Sequence, residues 1–103
     1  MAEPGAGERT VRRPAMGISH GDFFRVLPSL LADAQWRRDG LSIRADWPDG
    51  RRLRATVSAE RERRIAALSL PVADVELGFS GGAEAWEEGF VGRFDRAFQK
   101  GGG

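Results

Sequence analysis

The sequence predicts an α+β domain. It has a single antiparallel β-sheet of four to five strands, with an N-terminal and a C-terminal helix packed on one face, in the order helix, sheet, helix. Three observations predict it. Apolar residues recur at helical spacing at both flanks, as Phe23, Leu27, Leu30 and Leu31 and as Trp86, Phe90, Phe94 and Phe98. Between them, polar and apolar residues alternate with period two. Turn signals such as Asp39-Gly40 and Pro48-Asp49-Gly50 punctuate the alternating runs. At 103 residues the chain has the length of one domain.

Residues 1–16 hold Pro4, Gly5, Gly7 and Pro14 and show no apolar periodicity, so they are expected to form a disordered tail. They also lack the apolar stretch of a signal peptide, and a cytoplasmic location is expected. The folded domain is expected over 17–100, followed by a flexible glycine tail at 101–103. The first helix is predicted over 19–33, with Ser19 as its cap and a kink or break at Pro28, which cannot donate to the Phe24 carbonyl. A hairpin follows over 35–47, turning at Asp39-Gly40, with Leu41, Ile43, Ala45 and Trp47 on the inward side of its second strand. The next strand, 52–58, points Leu53, Ala55 and Val57 inward and Arg52 and Arg54 outward. A charged turn at 60–62 is expected to lead into a strand over 64–70. After Pro71, placed at a bend or an edge, a last strand spans 73–79. The second helix is predicted over 83–99. Glutamates lie in its first turns and Arg93, Arg96 and Lys100 near its end, an order that suits the helix dipole.

Composition narrows the functional classes. There is no cysteine and one histidine, which excludes a thiol nucleophile, a disulfide framework and a multi-histidine metal centre. No metal and no cofactor is expected. His20-Gly21-Asp22 pairs an imidazole with a carboxylate, but no third ligating group stands nearby in sequence, so a capping or surface role is expected and no catalytic residue is assigned. No apolar run approaches the length of a membrane span, and no membrane partner is expected on that ground.

The net charge of +1 conceals two opposed blocks. Residues 36–64 carry nine arginines against five acids, and residues 74–92 carry five acids and no base. On the strand register above, Arg44, Arg52 and Arg54 project from the sheet face that the helices leave open. Their guanidinium forks suit carboxylates or phosphates. Asp74 and Glu76 are expected on the same face, where they would neutralise the arginines across strands. In the second helix, Gly89 and Gly92 lie on a smooth strip with Ala85, for which close internal packing or a partner's approach are the two readings.

The chain is therefore expected to be a small accessory or protein-interaction module, not an enzyme. It would bind another protein or a second copy through Arg44, Arg52 and Arg54 or through Gly89 and Gly92. Binding of an anion or nucleic acid by the same arginines is the alternative. A third reading comes from Gly101-Gly102-Gly103, which resembles the glycine tail of ubiquitin-like and sulfur-carrier proteins and implies a carrier role. The helix–sheet–helix order also resembles the frataxin fold in outline. The first helix offers only Asp22 and Asp33, however, so that resemblance implies topology and not iron binding.

Overall fold

A computed structural model describes residues 8–99. The expected glycine tail at 101–103, Lys100 and the first seven residues of the expected N-terminal tail lie outside the described residues. The chain is α+β. Strand β1 spans Arg9–Met16 and helix α1 His20–Val26, and four more strands follow as β2 Gln35–Asp39, β3 Ser42–Asp46, β4 Arg52–Val57 and β5 Arg61–Ile65. The long β6 covers Leu68–Ser80, and helix α2 covers Glu84–Gln99. All pairings are antiparallel, in the order β1-β6-β4-β3-β2, with β5 paired to β6 beside that path.

The tail expected over 1–16 is corrected at its second half, because Arg9–Met16 form an edge strand on β6. Val11 is the apolar residue in the middle of this strand that packs against the core. Its two neighbours on that same side are arginines. Arg13 donates to both carboxylate oxygens of Asp95 in α2 at 2.9 and 2.8 Å, and Arg9 reaches Glu87 at 3.4 Å. A strand anchored by charge to a helix about eighty residues away leaves no apolar alternation to read. Pro14 and the left-handed Ala15 (φ 53°) coincide with a register irregularity between Arg13 and Met16. The helix–sheet–helix order is thus preceded by a strand, and the outline likeness to frataxin fails at that point.

The first helix forms as its caps dictate. Ser19 Oγ accepts from the Asp22 N–H at 3.1 Å, and α1 stops at Val26. Pro28 sits at the start of a short 3-10 turn over Leu27–Leu30, which is the break that its missing N–H imposes. The first hairpin turns one residue later than expected. Asp39 pairs with Ser42, so Gly40-Leu41 are the turn residues, and Gly40 takes φ +62° as the first central position of a II′ turn requires.

The middle of the chain departs most from expectation. Glu60-Arg61-Glu62 is not a turn, since Arg61–Ile65 form β5, and the chain reverses at Ala66-Ala67. Strand β6 then runs unbroken through Pro71. It can do so because Pro71 faces Glu62 of β5 on one side, while β1 on the other side pairs only from Ala73 onward.

The core lies on one face of the sheet. Ile43, Ala45, Leu53, Ala55, Val57, Val75, Leu77 and Phe79 point into it. Phe23 and Leu27 from the first helical segment and Phe90 and Phe94 from α2 cover it. Phe79 meets Phe90 edge-on at 5.7 Å, and Phe23 stacks with Phe98 at 6.2 Å, so the aromatics that recur every four residues in α2 lock the two helices and the sheet together. The turn before β4 presses against the link from β6 to α2. A Cβ on Gly81 (φ +76°) would stand 2.2 Å from the Gly50 carbonyl oxygen, so only glycine fits.

Candidate interaction face

The opposite face of the sheet carries no helix. Pairing registers assemble its side chains into cross-strand rows. Arg37, Arg44, Arg54 and Gly78 stand opposite one another in one row across β2, β3, β4 and β6. The neighbouring row holds Gln35, Asp46, Arg52 and Ser80. Directly opposed residues on one face lie about 4.5–5.5 Å apart at Cβ, so Arg37, Arg44 and Arg54 project from one short strip.

Their carboxylate partners are unevenly distributed. Arg52 Nε forms an ion pair with Asp46 at 3.0 Å, and Arg54 Nη2 stands 3.9 Å from Glu8. Among the described residues, Arg37 and Arg44 make no ion pair. A shallow hollow of about 310 Å³ opens between Arg44, Arg52, Arg54 and Asp46, with Gly78 in its lining. The Glu8 carboxylate lies over Gly78, where an added Cβ would approach Oε2 to 2.8 Å. Glycine at 78 thus gives a carboxylate room to lie against the backbone beside the arginines.

Asp74 and Glu76 do not neutralise Arg44, Arg52 or Arg54, although Asp74 does pair with one arginine of the 36–64 block. Glu76 pairs with Arg12 of β1 at 3.0 Å, and Asp74 pairs with Arg61 of β5 at 3.1 Å. The Ala15 N–H, at 2.7 Å, together with Arg61 holds the Asp74 carboxyl below the usual carboxylate range. Both acids are spent on the β1 side and the base of β5, one or more rungs from Arg44.

Arg44, Arg52 and Arg54 are therefore brought together, with Arg37 added to them. Gly89 and Gly92 are not part of this group, because α2 lies on the other side of the sheet. Nor do these glycines admit close internal packing. A Cβ on Gly89 would meet only Arg93 Nη1 at 3.6 Å, and one on Gly92 only Arg96 Nη1 at 3.5 Å, so the strip faces outward.

His20 is tied into the scaffold. Its Nε2 donates to the Ser58 carbonyl at 2.6 Å, and its backbone N–H donates to Glu60 at 2.6 Å, which fastens the start of α1 to the link between β4 and β5. Asp22 pairs with Arg25 at 2.8 Å instead. Among the described residues no three metal-ligating side chains come together.

Two features escaped the sequence reading. Glu87 and Asp95, which anchor β1, carry no signal because their partners lie in a segment read as a tail. The apolar end of the β5–β6 hairpin, Ile65 and Leu68, is hidden in a run that reads as ordinary strand.

The aromatic side chains lie away from the arginine row. Trp36 is half exposed at the β2 edge but faces the helix side, opposite buried Ala45. Trp47 is buried and donates its indole N–H to the Ala32 carbonyl at 3.0 Å. No protein-family model matches the chain, and neither a curated protein nor a solved structure is similar enough to match it.

Proposed function

We propose that the domain is a protein-interaction module that seats an acidic segment of a partner across its open sheet face, on Arg37, Arg44 and Arg54. One observation carries the reading: Arg44 stands between two other arginines in a cross-strand row and has no carboxylate of its own among the described residues. Like charges directly opposed on a sheet cost stability, and an incoming carboxylate relieves that cost while accepting bidentate hydrogen bonds. The Glu8 carboxylate over Gly78, beside Arg54, is an example of such a group lying in the row. The reading is one of binding, with no group assigned to chemistry.

Phosphate would suit the same guanidiniums, and nucleic acid is the runner-up. Single-stranded nucleic acid is usually gripped by bases stacked on aromatic rings beside the cations. Among the described residues the tryptophans lie on the other side of the sheet or at its edge, which favours the acidic polypeptide.

The test is a calorimetric titration with a glutamate-rich peptide and, separately, with an oligonucleotide of equal charge. The expected result is salt-sensitive peptide binding that falls in Arg44→Ala and Arg54→Ala. Preference for the oligonucleotide would move the assignment to nucleic acid, and no binding of either at low salt would end it.

A further inference from the structure

The hairpin made by β5 and the start of β6 projects from the body of the sheet. Strands β4 and β5 follow one another along the same edge of β6, with Val57 opposite Val75 and Arg61 opposite Val72. On the other edge, β1 begins to pair only at Ala73, so residues 61–70 are exposed without exception. The end of this arm is apolar over four consecutive positions, 65 to 68. Ile65 is 51 % exposed and Leu68 64 %, and Leu70 behind them is 41 % exposed.

Charge is ordered along the arm. Behind the Ile65–Leu68 pair comes Arg64 opposite Ser69, then Arg63 opposite Leu70, and only on the next rung Glu62 opposite Pro71. At about 3.3 Å per residue, the two arginines stand roughly 3–7 Å behind the apolar cap. We propose that this arm docks on an anionic lipid surface, with Ile65 and Leu68 entering the acyl boundary and Arg63 and Arg64 held at the depth of the phosphates.

The order of the side chains selects this partner. A bilayer surface is layered from apolar through anionic to water, and the arm is layered from apolar through cationic to its base, where Glu62 is followed by Arg61, which is already paired with Asp74. A second copy packed arm against arm would set these arginines against their counterparts. Addition of a partner strand to β6 is opposed by Pro71, which offers no N–H on its free edge, and the outer edge of β5 is lined by charged residues. Among the described residues no helix is long and apolar enough to cross a membrane, a fact that concerns crossing a bilayer and not lying against one. The earlier expectation of no membrane partner rests on spans alone. The inference goes beyond the acidic-partner reading and uses different residues.

The test is co-sedimentation of the full chain with vesicles of phosphatidylcholine alone and of phosphatidylcholine and phosphatidylglycerol in about equal parts. The expected result is partitioning to the mixed vesicles that weakens with salt. It is abolished by Ile65→Asp with Leu68→Asp and falls about fivefold for each of Arg63→Ala and Arg64→Ala. Circular dichroism and thermal melting confirm that each variant is folded. If the double aspartate variant does not fold, the arginine variants and a Leu68→Ser substitution carry the test. Absence of partitioning by the wild type at low salt overturns the proposal, as does undiminished partitioning of the folded tip variants. A loss confined to Arg44→Ala and Arg54→Ala would assign vesicle binding to the sheet face and overturn it too. Failure of the peptide titration with vesicle binding intact would remove the acidic-partner reading alone.

Discussion

Arg44 on β3 stands directly opposite Arg54 on β4, and Arg37 on β2 faces Arg44 from the other side. Arg54 has Glu8 within 3.9 Å, whereas Arg44 has no ion pair among the described residues. Three cations in one row on an exposed sheet face oppose folding.

The first prediction follows from that cost. Arg44→Thr replaces the central cation by a residue that favours strands, and should raise stability by about 0.5 kcal/mol in urea unfolding. A fall of similar size would mean that Arg44 is satisfied within the domain.

A second prediction concerns acid. The folded-state carboxyl of Asp74 lies below its usual range because the Ala15 N–H and Arg61 favour the charged form. Its contribution is therefore present above the unfolded carboxylate pKa of about 3.9 and is lost as pH falls through the lower folded value. Asp74→Asn should make the melting temperature depend less on pH below about pH 4. An unchanged acid limb would show that the Ala15 and Arg61 contacts do not act in solution.

The outward glycines of α2 give a third. A Cβ on Gly89 meets nothing closer than the far end of Arg93, at 3.6 Å. Gly89→Ala should therefore stabilise the protein by about 0.5–1 kcal/mol, the difference in helix propensity, as read by thermal unfolding. Destabilisation would show that another element packs on this strip.

The attachment of β1 gives a fourth. The Arg13–Asp95 pair is bidentate and about two-fifths exposed, so a double-mutant cycle with Arg13→Ala and Asp95→Ala should return a coupling of up to about 1 kcal/mol. Hydrogen exchange of β1 should accelerate in Arg13→Ala more than that of β4. Equal protection of β1 with and without the pair would mean that Val11 and the β6 ladder hold the strand alone.

The parts of the fold driven by apolar periodicity were legible in the sequence. The recurrence of Trp86, Phe90, Phe94 and Phe98 marks α2, the alternation of Ile43, Ala45 and Trp47 marks β3, and Pro28 marks the end of α1. What stayed hidden lacks such a pattern. Strand β1 turns arginines toward α2, so its inward side reads as polar until Glu87 and Asp95 are in place. The hairpin turn at Ala66-Ala67 carries none of the glycine or asparagine that usually announces one, and Ala66 takes φ 55° without them. The arginine face was visible as Arg44, Arg52 and Arg54, because period-two spacing alone sends them outward. Their row with Arg37 depends on the register between strands. So does the diversion of Asp74 and Glu76 to Arg61 and Arg12, which no single strand reveals.

The central claim is that the arginine row takes carboxylates from a partner. It is tested most directly by following the guanidinium Nε–H resonances of Arg37, Arg44 and Arg54 by NMR while a glutamate-rich peptide is added at low salt. The account predicts shifts in all three that saturate together, with those of Arg93 and Arg96 on α2 unmoved, and loss of saturation in Arg44→Ala. Shifts of equal size in every exposed arginine, or none in this row, would contradict it.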